Sequence, residues 1–332
     1  MRVPITASKG SPYARIEGIG AAIPSRVVDN EEMCTYIDSS DEWIQQRTGI
    51  VERRWVAEGE TVETLSLDAA RQAIERAGLT AADIDAVIIS TVSHLVQTPS
   101  LAAVVAAKLG CSDAAAFDIS AACAGFCYGV GMAESLVRSG AATHVLAIGA
   151  ETLSEMTDLS DRSTAFLFAD GAGAAVVGPS DVPTMGPLVW GSDGDQAEVI
   201  EMDRSWPEAV ATGETSHITM DGRPVFRWAT TFIADAASRT LAAAGLAPED
   251  LDLFVPHQAN NRITDAMLRT LKLPDTVKVA RTIVNFGNNS AASIGIALNS
   301  MIESGEARSG DTCLMIGFGA GLVYAGQVIT IP

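Results

Sequence analysis

The 332-residue chain is 48% hydrophobic and 19% charged, which is enough apolar material for a large core and for two domains. Its formal net charge of −19 argues against nucleic acid or an anionic membrane as the main partner. Five cysteines without paired metal spacing, and no apolar run of signal-peptide or membrane-spanning length, predict a soluble α/β enzyme of the cytoplasm.

The first half of the chain alternates strand and helix patterns. Residues 14–23 predict a strand, and Ser39–Gly49 predicts a capped helix that carries Trp43 and Arg47 on one face. Helical patterns then cover residues 64–77 and 100–109, and apolar strand patterns cover residues 86–91 and 145–149. The Asp-Gly-Ala-Gly-Ala-Ala stretch at 170–175 lacks the lysine and helix context of a phosphate loop, so it predicts a tight hairpin.

Cys123 stands where the strand pattern that begins at Phe117 gives way to small residues. Ser120 is a good helix N-cap, and apolar residues then repeat at helical spacing as far as Gly140. Cys123 is therefore predicted in the first helical turn, where the helix dipole would hold the thiol pKa below its ordinary value of about 8.5. The alternative is a buried structural cysteine at a tight strand-to-helix turn.

Two segments of the first half recur in the second half at nearly one offset. Ala77–Asp85 matches Ala244–Asp252 at an offset of 167 residues, and Glu134–Gly140 matches Asn299–Gly305 at an offset of 165. Two matches in the same order predict a duplicated α/β unit.

The duplication predicts two halves, 1–185 and 186–332, that meet near a cluster of glycines and prolines at residues 178–187. The offset of 165 puts Asn288 opposite Cys123. Both residues precede helices rich in small side chains, so both are predicted at the junction between the halves.

His257 follows the strand pattern at 253–256, and the other three histidines of the chain lack such a setting. A satisfied core histidine is the alternative interpretation. Together, Cys123, His257 and Asn288 supply a nucleophile and two hydrogen-bond donors. A papain-like hydrolase also uses these residue types, but its local signature around the cysteine is absent here and a duplicated α/β chain is the wrong architecture for it.

Three motifs carry a resemblance to a known family. Ala-Cys-Ala-Gly-Phe at 122–126, Pro-His-Gln-Ala-Asn at 256–260 and Gly-Asn-Asn-Ser-Ala-Ala-Ser at 287–293 resemble those of 3-oxoacyl-[acyl-carrier-protein] synthase III, an initiating condensing enzyme of fatty acid synthesis. The match extends over nearly the whole chain and includes the closing Gly317–Gly321. It implies the α/β thiolase fold, five layers αβαβα from two duplicated halves, in a homodimer without metal or cofactor.

The resemblance implies a reaction in two stages. Cys123 would take an acyl group from acyl-CoA, and malonyl-acyl carrier protein (malonyl-ACP) would then lose carbon dioxide and attack the acyl-enzyme. His257 and Asn288 would donate hydrogen bonds to the malonyl thioester oxygen, and the backbone amides of Cys123 and Ala320 would form the oxyanion hole for acyl transfer. Two alternatives stay open: a priming ketosynthase of a polyketide pathway, and an acyltransferase that forms an ester or amide without decarboxylation. A non-catalytic binding protein would be expected to have lost Cys123.

Binding residues follow from the same resemblance. Trp43 would stack on the CoA adenine while Arg47 and Arg162 hold the phosphates. Gly222 and Asn260 would lie along the pantetheine.

Two sets of arginines have competing interpretations. Arg162 is either the phosphate ligand or a surface ion pair with Asp161. Arg227, Arg262 and Arg269 predict a basic patch for an acidic carrier protein, or are solvated helix charges.

Three positions depart from the family pattern. Asn289 replaces a threonine, and Gly295 stands where proline is common, which predicts a looser or reshaped loop around Asn288. Thr98 is smaller than the phenylalanine that closes the primer pocket in some members. A primer larger than acetyl, such as a short branched acyl group, is therefore predicted.

Overall fold

The computed structural model describes residues 5–332. The prediction that the chain has no apolar run of signal-peptide length also covers residues 1–4, which lie outside the described residues. The strands of the described chain are β1 (Tyr13–Ala22), β2 (Arg26–Asp29), β3 (Glu52–Trp55), β4 (Ala86–Ser90), β5 (Ala115–Ile119), β6 (Val145–Thr152), β7 (Asp170–Ser180), β8 (Val189–Ser192), β9 (Ile200–Met202), β10 (Ile218–Met220), β11 (Leu253–Pro256), β12 (Lys278–Val279), β13 (Thr312–Gly319) and β14 (Val323–Thr330).

The α-helices are α1 (Asn30–Tyr36), α2 (Asp41–Thr48), α3 (Val62–Arg76), α4 (Leu101–Leu109), α5 (Gly125–Ser139), α6 (Trp206–Thr212), α7 (Gly222–Trp228), α8 (Ala234–Ala243), α9 (Asn261–Leu271), α10 (Ile283–Phe286) and α11 (Ser293–Glu303). A π-helical turn at Ala229–Ile233 joins α7 to α8. Within residues 5–332, every helix is too short or too polar to cross a membrane.

The two large sheets have the same strand order. The first runs β1-β7-β6-β4-β5 and the second runs β8-β14-β13-β11-β12. In each sheet the fourth strand of this order, β4 or β11, pairs in parallel with both neighbours, and the second and third strands pair antiparallel. The duplicated α/β architecture predicted from the repeat is confirmed.

Helices separate the sheets and cover their outer faces. Helices α3 and α4 pack on the outer face of the first sheet, and α8 and α9 pack on the outer face of the second. Helices α5 and α11 lie between the sheets, where both contribute to one shared apolar core. Since α5 is covered on both sides, even its glycines and Glu134 are buried. The layer order is αβαβα, as predicted.

The strands of the first large sheet lie within residues 13–180 and those of the second within 189–330. We propose the boundary between the halves at residue 185, in the connection between these two sets of strands.

The predicted hairpin at residues 170–175 is wrong. These residues begin β7, which lies inside the first sheet between β1 and β6. The small residues serve close packing: a Cβ added at Gly173 would lie 2.6 Å from the Cα of Gly295 in α11. The glycines let a helix approach the sheet and do not turn the chain.

Cys123 lies in a short corner ahead of the helix, so its predicted place in the first turn of an α-helix capped by Ser120 is wrong. A single 3₁₀ turn, Ala122–Ala124, connects β5 to α5, and no side chain caps it. The backbone of Ala122 is left-handed, with φ of 42°. A non-glycine residue at positive φ is strained, and such strain concentrates at functional sites.

A second corner of the same kind, Ser290–Ala292, precedes α11, and Ser290 has φ of 46°. The two positive-φ residues are 168 positions apart, so Ser290 corresponds to Ala122 and Ala291 corresponds to Cys123. Asn288 was predicted to be the counterpart of Cys123 in the second half, and this prediction is wrong by three residues, because the counterpart is Ala291. The reason is that the second half has three fewer residues between its corner at Ser290 and Gly305 than the first half has between Ala122 and Gly140.

Candidate active site

Cys123 packs against a glycine-rich segment of β13. A Cβ added at Gly319 would lie 2.9 Å from Cys123 Sγ, and one added at Gly317 would lie 3.0 Å from its carbonyl oxygen. Contacts this short exclude any side chain, so both glycines are required for β13 to reach the cysteine.

A cavity of about 150 Å³ opens at Cys123. Ser290 of the second corner and Ala320, the residue after β13, also line it. The rest of the lining is mainly apolar and includes Val92, Leu153, Met156, Phe168, Met202 and Ile218. The arrangement presents the thiol to a small apolar chamber.

Burial raises the pKa of Cys123 to about 12. The negative charge of Glu151 acts in the same direction, whereas a hydrogen bond with the Ser290 hydroxyl acts in the opposite one. The predicted lowering of the pKa is therefore wrong, because desolvation of the thiolate outweighs the favourable groups at the corner. The resting cysteine is a thiol and must lose its proton to react.

His257 follows β11 and is 2% exposed. Its backbone N–H donates to the carbonyl of Ile316 in β13 (2.8 Å), and its Nδ1 is hydrogen-bonded to the Ser293 hydroxyl (2.7 Å). The ring meets that of Phe318 edge-on at 5.3 Å between centroids. Burial lowers the pKa of His257 to about 3, so the imidazole is neutral at physiological pH.

Asn288 has a fixed side-chain orientation. Its backbone bridges to the Leu167–Ala169 segment, with N–H···O distances of 2.9 Å on both sides. Its Oδ1 accepts from the Ser290 backbone N–H at 2.9 Å, while its Nδ2 donates to no other group in the described chain. The amide donor is thus left for a ligand.

Two elements bring the three residues together. Cys123 and His257 both contact β13, at Gly317–Gly319 and Ile316 respectively. Ser293 supplies the hydroxyl partner of His257, and Ser290 lines the cavity at Cys123. Asn288 lies two residues before Ser290 and accepts from its backbone N–H. The three predicted residues are therefore linked through the same two segments, although His257 and Asn288 do not line the cavity at Cys123. Their shared catalytic role stays a prediction.

The two departures around Asn288 do not loosen its loop. Asn289 is buried and donates to the carbonyls of Asp170 (2.7 Å) and Phe286 (3.1 Å), which ties the loop to β7 and α10. Gly295 packs directly on the β7 backbone. These hydrogen bonds and close contacts argue against a looser loop, and the alternative of a reshaped loop stays a prediction.

Trp43, Arg47 and Arg162 form one surface cluster. The guanidinium carbons of Arg47 and Arg162 lie 5.3 Å and 4.6 Å from the Trp43 ring centroid. No ion pair joins Arg162 to Asp161 in the described chain, since that carboxylate accepts from Ser163 and Thr164 instead. An aromatic face beside two unpaired cations suits a nucleotide.

Asn260 is linked to the Trp43 cluster through Arg47, and Gly222 is exposed. Asn260 caps α9 through its Oδ1 and donates from Nδ2 to the carbonyl of Arg47 (2.9 Å), so it links α9 to α2. A Cβ added at Gly222 would meet only the Met220 methyl, at 4.0 Å. Gly222 therefore leaves open space for a ligand.

Arg227, Arg262 and Arg269 are exposed, and none of them makes an ion pair among residues 5–332. Arg262 lies over the ring of Phe226, the neighbour of Arg227, at 5.5 Å. Helices α7 and α9 therefore present unneutralised positive charge on a strongly acidic protein.

Thr98 lies apart from this site. It is exposed and does not line the cavity of its own chain. Within residues 5–332, no three His, Cys, Asp or Glu side chains form a group that could hold a metal ion.

Ser293, Ser290 and Glu151 were not singled out from the sequence. The two serines belong to the 287–293 motif, and this membership is the sequence feature that could have identified them. Glu151 is a single acidic residue at the end of an apolar strand, and only the strand pattern marks it.

Comparisons with known proteins agree with this geometry. The family model of the 3-oxoacyl-[acyl-carrier-protein] synthase III C terminal matches residues 241–331, and the 3-oxoacyl-[acyl-carrier-protein] synthase III model matches residues 117–194. The chain is 54% identical to a beta-ketoacyl-[acyl-carrier-protein] synthase III of Streptomyces glaucescens, over 99% of both chains. It is 44% identical to the mycobacterial enzyme of Mycobacterium marinum, over 99% of this chain and 98% of that one.

Solved structures show the same relationship. The priming beta-ketosynthase of the R1128 polyketide pathway superimposes with a TM-score of 0.97 at 45% identity, over 99% of both chains. The synthase III of Aquifex aeolicus gives a TM-score of 0.89 at 39% identity, over 96% of this chain and 99% of that one. The fold is the thiolase fold, and the chain belongs to the 3-oxoacyl-[acyl-carrier-protein] synthase III family of condensing acyltransferases.

Proposed function

We propose that the protein transfers an acyl group from acyl-CoA to Cys123 and then condenses it with malonyl-ACP. The products are CoA, carbon dioxide and 3-oxoacyl-ACP, and the reaction initiates fatty acid synthesis. The observation that carries the proposal is the position of Cys123 at a small apolar cavity and against β13, the strand to which a neutral buried histidine is also hydrogen-bonded. The oriented amide of Asn288 lies two residues before Ser290, which lines the same cavity.

In the first stage, the thioester carbonyl reacts with Cys123 while its acyl chain occupies the cavity. We assign the oxyanion hole to the backbone amides of Cys123 and Ala320, since both residues border the cavity. The acyl group stays on sulfur, and CoA leaves as the thiol.

In the second stage, the developing enolate needs neutral hydrogen-bond donors that stabilise its negative charge without giving it a proton. If the Ser293 hydroxyl donates to Nδ1, the imidazole proton of His257 sits on Nε2 and points away from that bond. The Asn288 Nδ2 group is the second donor. Two neutral donors stabilise the enolate without protonating the carbon that must attack.

The cavity size bears on the primer. A volume of about 150 Å³ is below the range of roughly 300–1,000 Å³ that drug-sized ligands occupy, and the lining is apolar. The volume supports a short acyl primer. We retain as a separate proposal, based on the sequence at Thr98, that this primer is branched rather than acetyl. Acylation rates with acetyl-, isobutyryl- and longer acyl-CoA test this, and a strong acetyl preference would exclude it.

Three surface features support the partners. The Trp43 cluster suits the nucleotide of CoA, and the Arg227, Arg262 and Arg269 patch suits an acidic carrier protein. We further propose a cytoplasmic homodimer. The exposed Leu95 and Val96, 51% and 56% accessible, support burial against a second copy.

A second candidate is a priming ketosynthase of a polyketide pathway. The TM-score of 0.97 to the R1128 priming enzyme favours keeping it. It shares the chemistry and differs in primer and carrier protein. An acyltransferase that forms esters or amides is less well supported, because such a reaction does not use the enolate donors His257 and Asn288.

The proposal is tested by following carbon dioxide release and 3-oxoacyl-ACP formation with the wild type and with His257→Ala and Asn288→Ala. Both variants should still acylate Cys123 and should release carbon dioxide at least tenfold more slowly. Variants that decarboxylate malonyl-ACP at the wild-type rate would refute these roles. Fatty acid and polyketide carrier proteins, compared as acceptors, separate the two candidates.

A further inference from the structure

Glu151 is a fully buried carboxyl group that the proposed condensation does not use. It is the penultimate residue of β6 in the first sheet, and its carboxyl group accepts hydrogen bonds from two other segments. Its Oε2 accepts from the Ser93 hydroxyl (2.7 Å), the Val92 backbone N–H (3.1 Å) and the Thr91 hydroxyl (3.3 Å). Its Oε1 accepts from the Ser290 hydroxyl at 3.2 Å.

No cation neutralises this carboxylate in the described chain, as no ion pair includes it. A buried charge held only by neutral donors is costly, and burial raises the pKa of Glu151 to about 7. The group therefore exchanges its proton near neutral pH. Its Oε1 accepts from the hydroxyl of Ser290, and Ser290 and Cys123 line the same cavity. The Ser290 hydroxyl is therefore placed to connect the thiol with the carboxyl group.

We propose that Ser290 and Glu151 form a proton relay that takes the proton from Cys123 during acylation. The inference rests on the proposed acyl transfer. Cys123 donates its S–H to the Ser290 oxygen while Ser290 donates its O–H to Glu151. When the proton moves, the S–H bond breaks and an O–H bond forms on Glu151. The thiolate attacks the thioester, and the relay runs backwards to protonate the departing CoA thiolate.

The charges explain why this route is favourable. A thiolate formed beside an ionised Glu151 would put two negative charges in one buried site, and that repulsion raises the pKa of the thiol. Transfer through Ser290 keeps one negative charge in the pair throughout, because the carboxylate becomes neutral as the thiolate forms. Glu151 acts through another residue, so it is a positioning and proton-holding group.

Other titratable groups around Glu151 do not take this role. Asp170 pairs with the residue after Glu151, but its carboxylate turns to the Ser154 hydroxyl and backbone. His257 binds Ser293 and is held neutral by burial. Cys123 is the titratable group whose pKa responds to the charge on Glu151.

The test is the pH dependence of Cys123 alkylation by iodoacetamide and of CoA release from acyl-CoA. Alkylation is followed on the Cys123 peptide by mass spectrometry, because Cys34 is also partly accessible. The wild type should show an inflection near pH 7. Glu151→Gln and Ser290→Ala should both lose it and react at least tenfold more slowly at pH 7.5. Glu134→Gln, at another buried glutamate, should match the wild type.

The direction of change separates a relay from simple electrostatics. Removing the negative charge of Glu151 would by itself lower the thiol pKa and speed alkylation, whereas loss of a relay slows it. The proposal is overturned if Glu151→Gln reacts faster, if either variant keeps the inflection, or if the wild type has none. Since Ser290→Ala leaves the carboxyl in place, it supplies the answer should Glu151→Gln fail to fold. A wild type that forms no acyl-enzyme would instead refute the proposed function.

Discussion

Ser293→Ala should separate the two stages of the reaction. The hydroxyl lies 2.7 Å from Nδ1 of a histidine that is 2% exposed, so its removal leaves a buried ring nitrogen without a partner. Such a loss costs about 1–3 kcal/mol. It also removes the bond that keeps the imidazole proton on Nε2. At about 1.4 kcal/mol per tenfold change, we expect decarboxylation of malonyl-ACP to slow about 5- to 150-fold.

The assay measures carbon dioxide release by pre-acylated enzyme and, separately, CoA release from acyl-CoA. Acylation should stay within about threefold of the wild type, because Cys123 does not contact Ser293 in this scheme. Ser300→Ala, about two turns further along α11, is the matched control and should leave both rates unchanged. Equal losses in both stages, or no loss in decarboxylation, would refute the assigned role of His257.

Three further outcomes follow from burial and packing. The pKa of Glu151 rises from 4.5 to about 7 on folding, so its negative charge lowers the free energy of unfolding as pH rises through that window. Glu151→Gln should therefore raise the free energy of unfolding by up to about 3 kcal/mol more at pH 8 than at pH 4.5. The same change in urea unfolding at both pH values would contradict this. Gly295→Ala would place a Cβ 2.8 Å from the Cα of Gly173 and should lower the free energy of unfolding by about 1–3 kcal/mol. Gly129→Ala is the control and should not destabilise the protein, because its nearest contact lies at 3.6 Å. Similar losses of stability for the two variants in urea unfolding would refute the role of close packing at Gly295. Arg162→Met should raise the KM for acyl-CoA roughly tenfold without changing kcat. The KM for an acyl-pantetheine thioester, which lacks the nucleotide, should stay unchanged, and an equal rise would count against phosphate binding.

The repeat and the three motifs predicted most of the architecture. Matching segments at offsets of 165 and 167 were enough to predict two equivalent halves, and their sheets have one strand order. The motifs around Cys123, His257 and Asn288 also identified residues that are linked through the same two segments. The repeat and the motifs are both local sequence patterns, so they can be read from a single sequence.

The errors have a different origin. Ser120 fits a cap in sequence, but the left-handed backbone at Ala122 places the corner two residues later. From the sequence, Gly173 predicts a turn. In the fold it allows close packing against Gly295, which is 122 residues further along the chain. The pKa of Cys123 depends on a cavity assembled from both halves. Long-range packing decided each of these outcomes, and no local pattern records it.

Glu151 shows the same limit within the site. Its four hydrogen-bond donors come from residues 91–93 and from Ser290, which is 139 residues further along the chain. The sequence alone presents one glutamate after an apolar strand. Only the folded chain reveals that it is hydrogen-bonded to Ser290, which lines the cavity at Cys123.

In the proposed reaction, Cys123 carries an acyl group which malonyl-ACP then removes by decarboxylative condensation. The most direct measurement is the intact mass of the protein after exposure to acyl-CoA and again after addition of malonyl-ACP. We expect one acyl adduct that is absent in Cys123→Ala and that is discharged as 3-oxoacyl-ACP. An adduct that forms without Cys123, or one that malonyl-ACP leaves in place, would contradict it.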